Sequence, residues 1–354
     1  METMHPVVLR GRTGGSAQAL PREEFTDRVS ALQEAIARGG FAAAAVFGDS
    51  RDYGPLCYVS GYIPMLRWAV ALVPASGDPS LFLAAPSRDM AFTRLLTWIE
   101  DVQPVSALRG ALDELSRTGT VALVGAERMR GSVRRQIDGA GHLVEADALL
   151  SGRMSTPRPR EVALLRTADA LVGHAADQAE HAYAEGRGAT EALAVAERAA
   201  REQGAHDVRA LYSPDGGRSL RTFETAVAGR PTPNVFYLAV EVDGYWGETF
   251  RSVGADGAVL AEVRRSLEAV AAELHPGLAV GHVIERLGRP PDRTRQHPAV
   301  SGRRAVARLG LSRDDAFGAR PGAELVAGVY SLRAGCLGGT GVLLSKTVAV
   351  GLAG

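Results

Sequence analysis

Apolar and polar positions alternate with period two on both sides of Asp243-Gly244, in V-F-Y-L-A-V-E-V-D-G-Y-W-G-E-T-F-R-S-V-G (Val235 to Gly254). Such alternation predicts two adjacent strands. An Asp-Gly pair accepts the positive φ angles of a tight hairpin turn, so the two strands should pair directly. Before this hairpin, Phe25, Val29, Leu32 and Ile36 follow helical spacing from Pro21, and Gly39-Gly40 ends the pattern. Phe41–Phe47, Ala69–Val73, Ser80–Ala84 and Val121–Val124 read as short strands, and helical patterns surround Met90–Trp98 and Ala107–Arg117. Strands alternating with helices predict an α/β domain over 21–152. Residues 1–20 lack periodicity and read as a flexible arm. Ser151 to Pro159 (S-G-R-M-S-T-P-R-P) reads as the linker to a second domain, 153–354.

In that second part Val162, Leu165, Leu171, Val172 and Ala179 mark one side of a long helix, and Thr190 is the expected cap of another that reaches Gly204. Asp256 should cap a helix from Ala258 to Leu274, and Val280, Val283, Ile284 and Leu287 a shorter one. The Pro- and Arg-rich stretch Arg289–Arg304 is expected as an exposed loop. Ala327–Leu332 and Val342–Val350 read as closing strands.

At 354 residues the chain can bury two cores. Its 40 Lys and Arg balance its 40 Asp and Glu, which argues against a nucleic-acid or anionic-membrane partner. No apolar leader and no run of membrane-spanning length stands in the sequence, so a cytoplasmic protein is expected. Two cysteines, Cys57 and Cys336, fall in different domains and form no ligand pattern.

Several phrases in order carry a resemblance. They are G-D-S-R-D-Y-G-P-L-C-Y-V-S-G-Y from Gly48, P-R-E-V-A-L-L-R from Pro159, the hairpin, and the final L-R-A-G and G-V-L-L-S-K-T-V. Together they resemble the pita-bread superfamily of creatinases, prolidases, aminopeptidases P and methionine aminopeptidases. The resemblance implies an α/β N-terminal creatinase-like domain, with an early strand–loop–strand over Gly48–Tyr62, and an α+β pita-bread C-terminal domain. It also implies a homodimer.

Metallated members of that superfamily hold two divalent ions with two Asp, one His and two Glu. Carried onto this chain, the first Asp falls on Tyr237 and the second on Glu248. The His falls on Ala307 of A-R-L-G-L, and the two Glu on Arg333 and Ser345. One acid, a phenol, a methyl group, a guanidinium and a hydroxyl are not a ligand set for two such cations, so no metal and no other cofactor is expected. Creatinase, the metal-free relative, offers no closer match: its His corresponds to Leu220 and its hairpin Glu to Phe250.

The fold so implied turns Glu248, Tyr237 and Arg333 toward one cavity as catalytic candidates. Arg221, Glu224, Tyr212, Asp215, His297 and Ser345 are candidates for holding substrate. A planar guanidinium, Arg333 or Arg221, suits a carboxylate. Glu248 can serve as base or acid and Tyr237 as a proton donor. These residues point to a metal-independent enzyme on a small carboxylate-bearing metabolite, with C–N bond hydrolysis first and a biosynthetic lyase or rearrangement step second. The other readings are a Glu248–Arg333 ion pair kept for structure alone in a vanished metal site, a non-catalytic module that keeps the cavity for a peptide or protein, and a metallopeptidase. Among the histidines, His174 and His181 read as solvated, and His206 and His297 as possible pocket residues. Cys336 reads as a small buried residue, and Ser345-Lys346, adjacent on a strand, face opposite ways.

Overall fold

The computed structural model describes residues 11–86, 90–222, 234–290, 294–297, 300, 302–311, 321–337 and 341–352. The chain divides into two compact units between Ser155 and Thr156.

The first unit opens with β1 (Gly11–Thr13), α1 (Arg22–Arg38), β2 (Ala43–Asp49), α2 (Gly54–Ser60), β3 (Tyr62–Pro64), β4 (Trp68–Pro74) and β5 (Ser80–Leu83). It continues with α3 (Met90–Thr93), β6 (Asp101–Pro104), α4 (Leu108–Ser116), β7 (Val121–Val124), α5 (Gly131–Ile137), β8 (Leu143–Glu145) and α6 (Ala148–Met154). Six strands form one sheet in the order β6-β5-β4-β2-β7-β8. Strand β4 is antiparallel to its neighbours, and the β2–β7, β5–β6 and β7–β8 pairs are parallel. Phe47, Val70, Phe82 and Leu123 pack against Leu112 of α4 and Val133 of α5 to form a core. The alternation read from the sequence is this α/β layer.

Three details depart from expectation. Residues 54–60 form a helix instead of the strand–loop–strand expected over Gly48–Tyr62. Pro55, in its first turn, has a φ suited to a helix start, and Gly61 at φ 67° closes it by donating its N–H to Cys57 O. Residues 1–10 of the expected arm lie outside the described residues, but 11–20 are partly packed. Strand β1 pairs with β3, and Leu20 is 3% exposed. The expected linker is shorter than Ser151–Pro159, because α6 runs through Met154 and the next helix starts at Pro159.

The second unit runs α7 (Pro159–Ala184), α8 (Ala189–Glu202), β9 (Asp207–Ser213), β10 (Asn234–Val242), β11 (Tyr245–Val253), α9 (Gly257–Ala272), α10 (Val280–Leu287), β12 (Arg295–Gln296), β13 (Val306–Leu309), β14 (Gly328–Leu337) and β15 (Val342–Val350). Asp243 at φ 50° and Gly244 at φ 92° make the predicted turn between β10 and β11, and β9 adds to the free edge of β10. Helix α7 crosses one face of this sheet so closely that a Cβ at Gly247 would lie 2.7 Å from the Ala168 carbonyl oxygen. Its start is fixed by Glu161, whose Oε2 accepts from the Arg158 N–H at 2.9 Å and whose Oε1 accepts from Tyr245 Oη at 2.9 Å. Helix α8 is capped at Gly188, two residues before the expected Thr190, with Glu191 accepting from the Gly188 N–H. Asp256 caps α9 as expected, accepting from the N–H groups of Ala258 and Val259.

The second sheet centres on β14, with β12 and β13 along one edge and β15 along the other. Val263 and Leu267 of α9 and Val283 and Leu287 of α10 cover one face, over Leu332, Ala334 and Leu344. The other face meets the hairpin sheet. There Ser252 Oγ donates to Leu343 O at 2.9 Å and accepts from Leu343 N at 2.8 Å. The Phe250 N–H donates to Ser345 Oγ at 2.8 Å. The part of Arg289–Arg304 expected as an exposed loop includes two wholly buried side chains, His297 and Val300. Residue 297 is tied down by its own N–H, which donates to Gly335 O.

Candidate functional site

Strand parity decides which side chains meet. Phe236 stacks edge-on against Tyr183 of α7, so its face of the hairpin is the helix face. Tyr237, one residue on, lies on the opposite face, in an apolar cluster with Val235, Trp246, Phe250, Val300 and Leu343. Ala239 pairs with Glu248 and Tyr237 with Phe250, so Glu248 projects on this same inner face. Arg333 and Ser345 pair across β14 and β15, and both reach it from the other sheet.

Three expected site residues are brought together. Tyr237 Oη donates to Glu248 Oε2 at 2.9 Å, and Arg333 Nε donates to Glu248 Oε1 at 2.9 Å. Arg333 Nη2 donates to that same oxygen, and Nη1 donates to the carbonyl of Arg304 at 3.3 Å. The guanidinium lies 5.6 Å from the Phe250 ring centroid, and the Tyr237 and Phe250 rings are 4.7 Å apart. The Glu248 side chain is 6% exposed and that of Arg333 18%. The outcome is a charge-assisted pair walled by aromatic rings, open to solvent on the arginine side. Ser345 joins the cluster through Phe250, since its hydroxyl accepts the Phe250 N–H.

Asp215 and His297 form a second group, holding the loop after β9. Ser213 Oγ donates to Asp215 Oδ1 at 2.6 Å, and Ser219 donates from both N–H and Oγ–H. Burial acts to raise the Asp215 carboxyl, but these donors and the Arg218 N–H outweigh it and bring the pKa from 3.8 to about 2. His297 Nε2 lies 2.9 Å from Gly216 O, so that nitrogen carries a proton and donates. Burial lowers the His297 pKa against the opposing hydrogen bond to Gly216. A Cβ at Gly217 would meet His297 Nε2 at 2.7 Å, so the loop rests directly on the ring.

The remaining expectations fare differently. Tyr212 pairs with Phe236, which puts it on the helix face at 1% exposure, away from the inner-face cluster where a substrate-holding role would need it. The reason is parity again: the register of β9, set by a distant partner, fixes which of its residues turn inward. Arg221 is exposed and forms a backbone bridge with Tyr212. Glu224 lies outside the described residues. His206 sits at the hairpin turn, its Nδ1 accepting from the Asp243 N–H at 3.2 Å. Cys336 is buried, and burial pushes its thiol up. Sequence reasoning missed Phe250, Ser252 and the Arg304 carbonyl; the alternation of β11 puts Phe250 and Ser252 on the Glu248 face and was the available signal.

The donor set does not fit a pair of divalent ions. The sole carboxylate at the five positions the resemblance aligns is spent on a guanidinium and a phenol, and that guanidinium would repel a cation. Among the described residues no three His, Cys, Asp or Glu gather as a metal site, and no helix is long and apolar enough to cross a membrane.

No protein-family model and no curated protein matches the chain. Solved structures do. The prolidase from Pyrococcus horikoshii OT3 is similar at 14% identity and TM-score 0.69, over 92% of this chain and 95% of that one. The X-Pro aminopeptidase from Thermotoga maritima MSB8 gives 17% and 0.68, over 91% and 94%. Aminopeptidase P from E. coli gives 15% and 0.66, over 93% and 92%. At such identities the likeness speaks for architecture, and what it assigns is a pita-bread fold: an α/β N-terminal domain of the creatinase and prolidase kind, followed by an α+β pita-bread C-terminal domain.

Proposed function

We propose that the protein is a metal-independent enzyme that binds a small carboxylate-bearing metabolite on the solvent side of Arg333. The observation carrying this reading is that Arg333, which the sequence resemblance aligns with a metal-ligand position, pairs with Glu248 and yet keeps its side chain 18% exposed, with N–H donors of its fork to spare. Tyr237 and Glu248, already joined by a hydrogen bond, are the proton-transfer couple, and hydrolysis of a C–N bond is the favoured reaction class. A homodimer in the cytoplasm belongs to the same proposal. A second reading has its own support: both Glu248 oxygens are satisfied by protein donors, which suits a structural pair inside a non-catalytic binding module for a peptide or protein.

Thermal unfolding of wild type and Arg333→Ala, with a panel of small carboxylates and with manganese or cobalt, separates the readings. A ligand at about 100 times its Kd adds roughly 2.7 kcal/mol, a shift of several degrees. Carboxylate stabilisation lost in Arg333→Ala, with turnover lost but folding kept in Glu248→Gln, is the expected result. Manganese stabilisation of the wild type would return the peptidase reading. Indifference to every carboxylate favours the binding module. Sedimentation of the same sample checks the dimer.

A further inference from the structure

In the first unit, β2, β5, β6, β7 and β8 run in one direction and antiparallel β4 runs against them. Their carboxyl ends and the start of β4 therefore share one edge. The chain also reverses course there: from β2 it builds β4, β5 and β6 to one side, then returns to lay β7 and β8 on the other. In open α/β sheets the loops diverge at such a point and leave a crevice beyond the strand ends.

This sheet has that crevice. A pocket of about 430 Å³, within the usual range for small-molecule sites, is lined by the residues that start β4, follow β5 and β6, and open α5. Trp68, Val105 and Val133 supply apolar wall, and Leu66, 61% exposed, stands at the mouth. Two guanidinium groups line the same space. Arg130 lies 3.5 Å from Asp49 with its side chain 63% exposed, and Asp49 also accepts from the N–H groups of Arg51 and Asp52. Arg67 is exposed and enters no ion pair or hydrogen bond among the described residues.

Two arginines, of which only Arg130 pairs with an acid, over an aromatic and aliphatic wall, select an anion with an apolar body. We infer that the N-terminal unit carries a second ligand site, for a small aromatic carboxylate, with Arg67 and Arg130 gripping the carboxylate and Trp68 and Val133 against the ring. A planar carboxylate fits the guanidinium fork in bidentate fashion, which a neutral amide cannot reproduce. This site is independent of Arg333.

Fluorine NMR of 4-fluorophenylacetate titrated with the full-length protein tests it, with 4-fluorophenylacetamide as the neutral control. Saturable binding in the millimolar range or tighter is expected. Arg67→Gln/Arg130→Gln should weaken it roughly tenfold, the sum of two partly exposed ion pairs. Both substitutions are at exposed side chains, and Asp49 keeps its backbone donors, so an unchanged urea midpoint should accompany the loss. Arg333→Ala should leave this binding intact. Binding that survives the double substitution in an Arg333→Ala background, that vanishes in Arg333→Ala alone, that the amide matches, or that is absent from the wild type would each overturn the assignment.

Discussion

Arg333 reaches from β14 to Glu248 on β11, donating from Nε at 2.9 Å and again from Nη2 to the same carboxylate oxygen. The pair spans the two sheets of the pita-bread unit, so it must be counted as part of the structure as well as of the site. Removing one member leaves the other partly buried charge without its partner. Arg333→Met should therefore cost about 2–3 kcal/mol, somewhat below the range for fully buried pairs because the arginine side keeps some solvent. Adding Glu248→Gln, which keeps an acceptor for Tyr237, should recover part of that loss. Urea unfolding of the four proteins in the double-mutant cycle should give a coupling of about 1–2 kcal/mol. Additive losses would mean that the two groups do not support each other.

The loop pinned by Asp215 should report on acid. Its folded pKa of about 2 lies below the ordinary 3.8. The unfolded chain therefore takes up the proton first, and the folded state loses stability as pH falls through that interval. The contribution is fully present above the unfolded value and lost from about pH 4 down to about pH 2. Asp215 is exposed, so the effect should be modest. Asp215→Asn should flatten the slope of stability against pH in this window and leave the slope between pH 5 and 7 unchanged. A wild-type slope in the acid window would sink the argument if the variant retained it in full.

The sequence displayed some of this arrangement and hid the rest for identifiable reasons. The hairpin was legible because Asp243-Gly244 is a local turn signal and strand parity is strict, so Tyr237 and Glu248 could be put on one face. Glu248 and Arg333 could be named together only through the resemblance, since no local pattern links β11 to β14. Tyr212 was misplaced because nothing in L-Y-S-P-D shows which edge β9 will join. Its inward set is decided by pairing with β10. His297 was expected in an exposed stretch, and a Pro- and Arg-rich composition does read that way. What buries it is the close approach of Gly217 and the backbone bond to Gly335, both distant in sequence.

The seat of α7 on the hairpin depends on Gly247 having no side chain. A methyl there would lie 2.7 Å from both the carbonyl carbon and oxygen of Ala168, backbone atoms that cannot rotate aside. Gly247→Ala should force the helix off the sheet and cost about 1–3 kcal/mol. Gly257→Ala, where an added Cβ meets nothing within 4 Å, is the control and should be nearly neutral. Chemical denaturation of both variants checks the difference. Equal stabilities would show that α7 can yield at no cost.

Ser345 offers the sharpest test of whether the peptidase ligand set is recoverable. It pairs directly with Arg333 on the inner face of β14 and β15, and its hydroxyl accepts the Phe250 N–H that ties this sheet to the hairpin. Directly opposed side chains on one sheet face are near enough to interact. A carboxylate introduced by Ser345→Glu would therefore meet the guanidinium before it met a cation. Ser345→Glu should gain no stabilisation from manganese, and it should lose about 1 kcal/mol or more with the Phe250 hydrogen bond. Ser345→Ala should lose a similar amount through the orphaned N–H. Replacing Arg333 by Glu in the same background removes the competing cation. Any manganese-dependent rise in unfolding temperature should appear only there. A rise in Ser345→Glu alone would show that Arg333 does not hold the site against metal, and the metal-independent reading would fall with it.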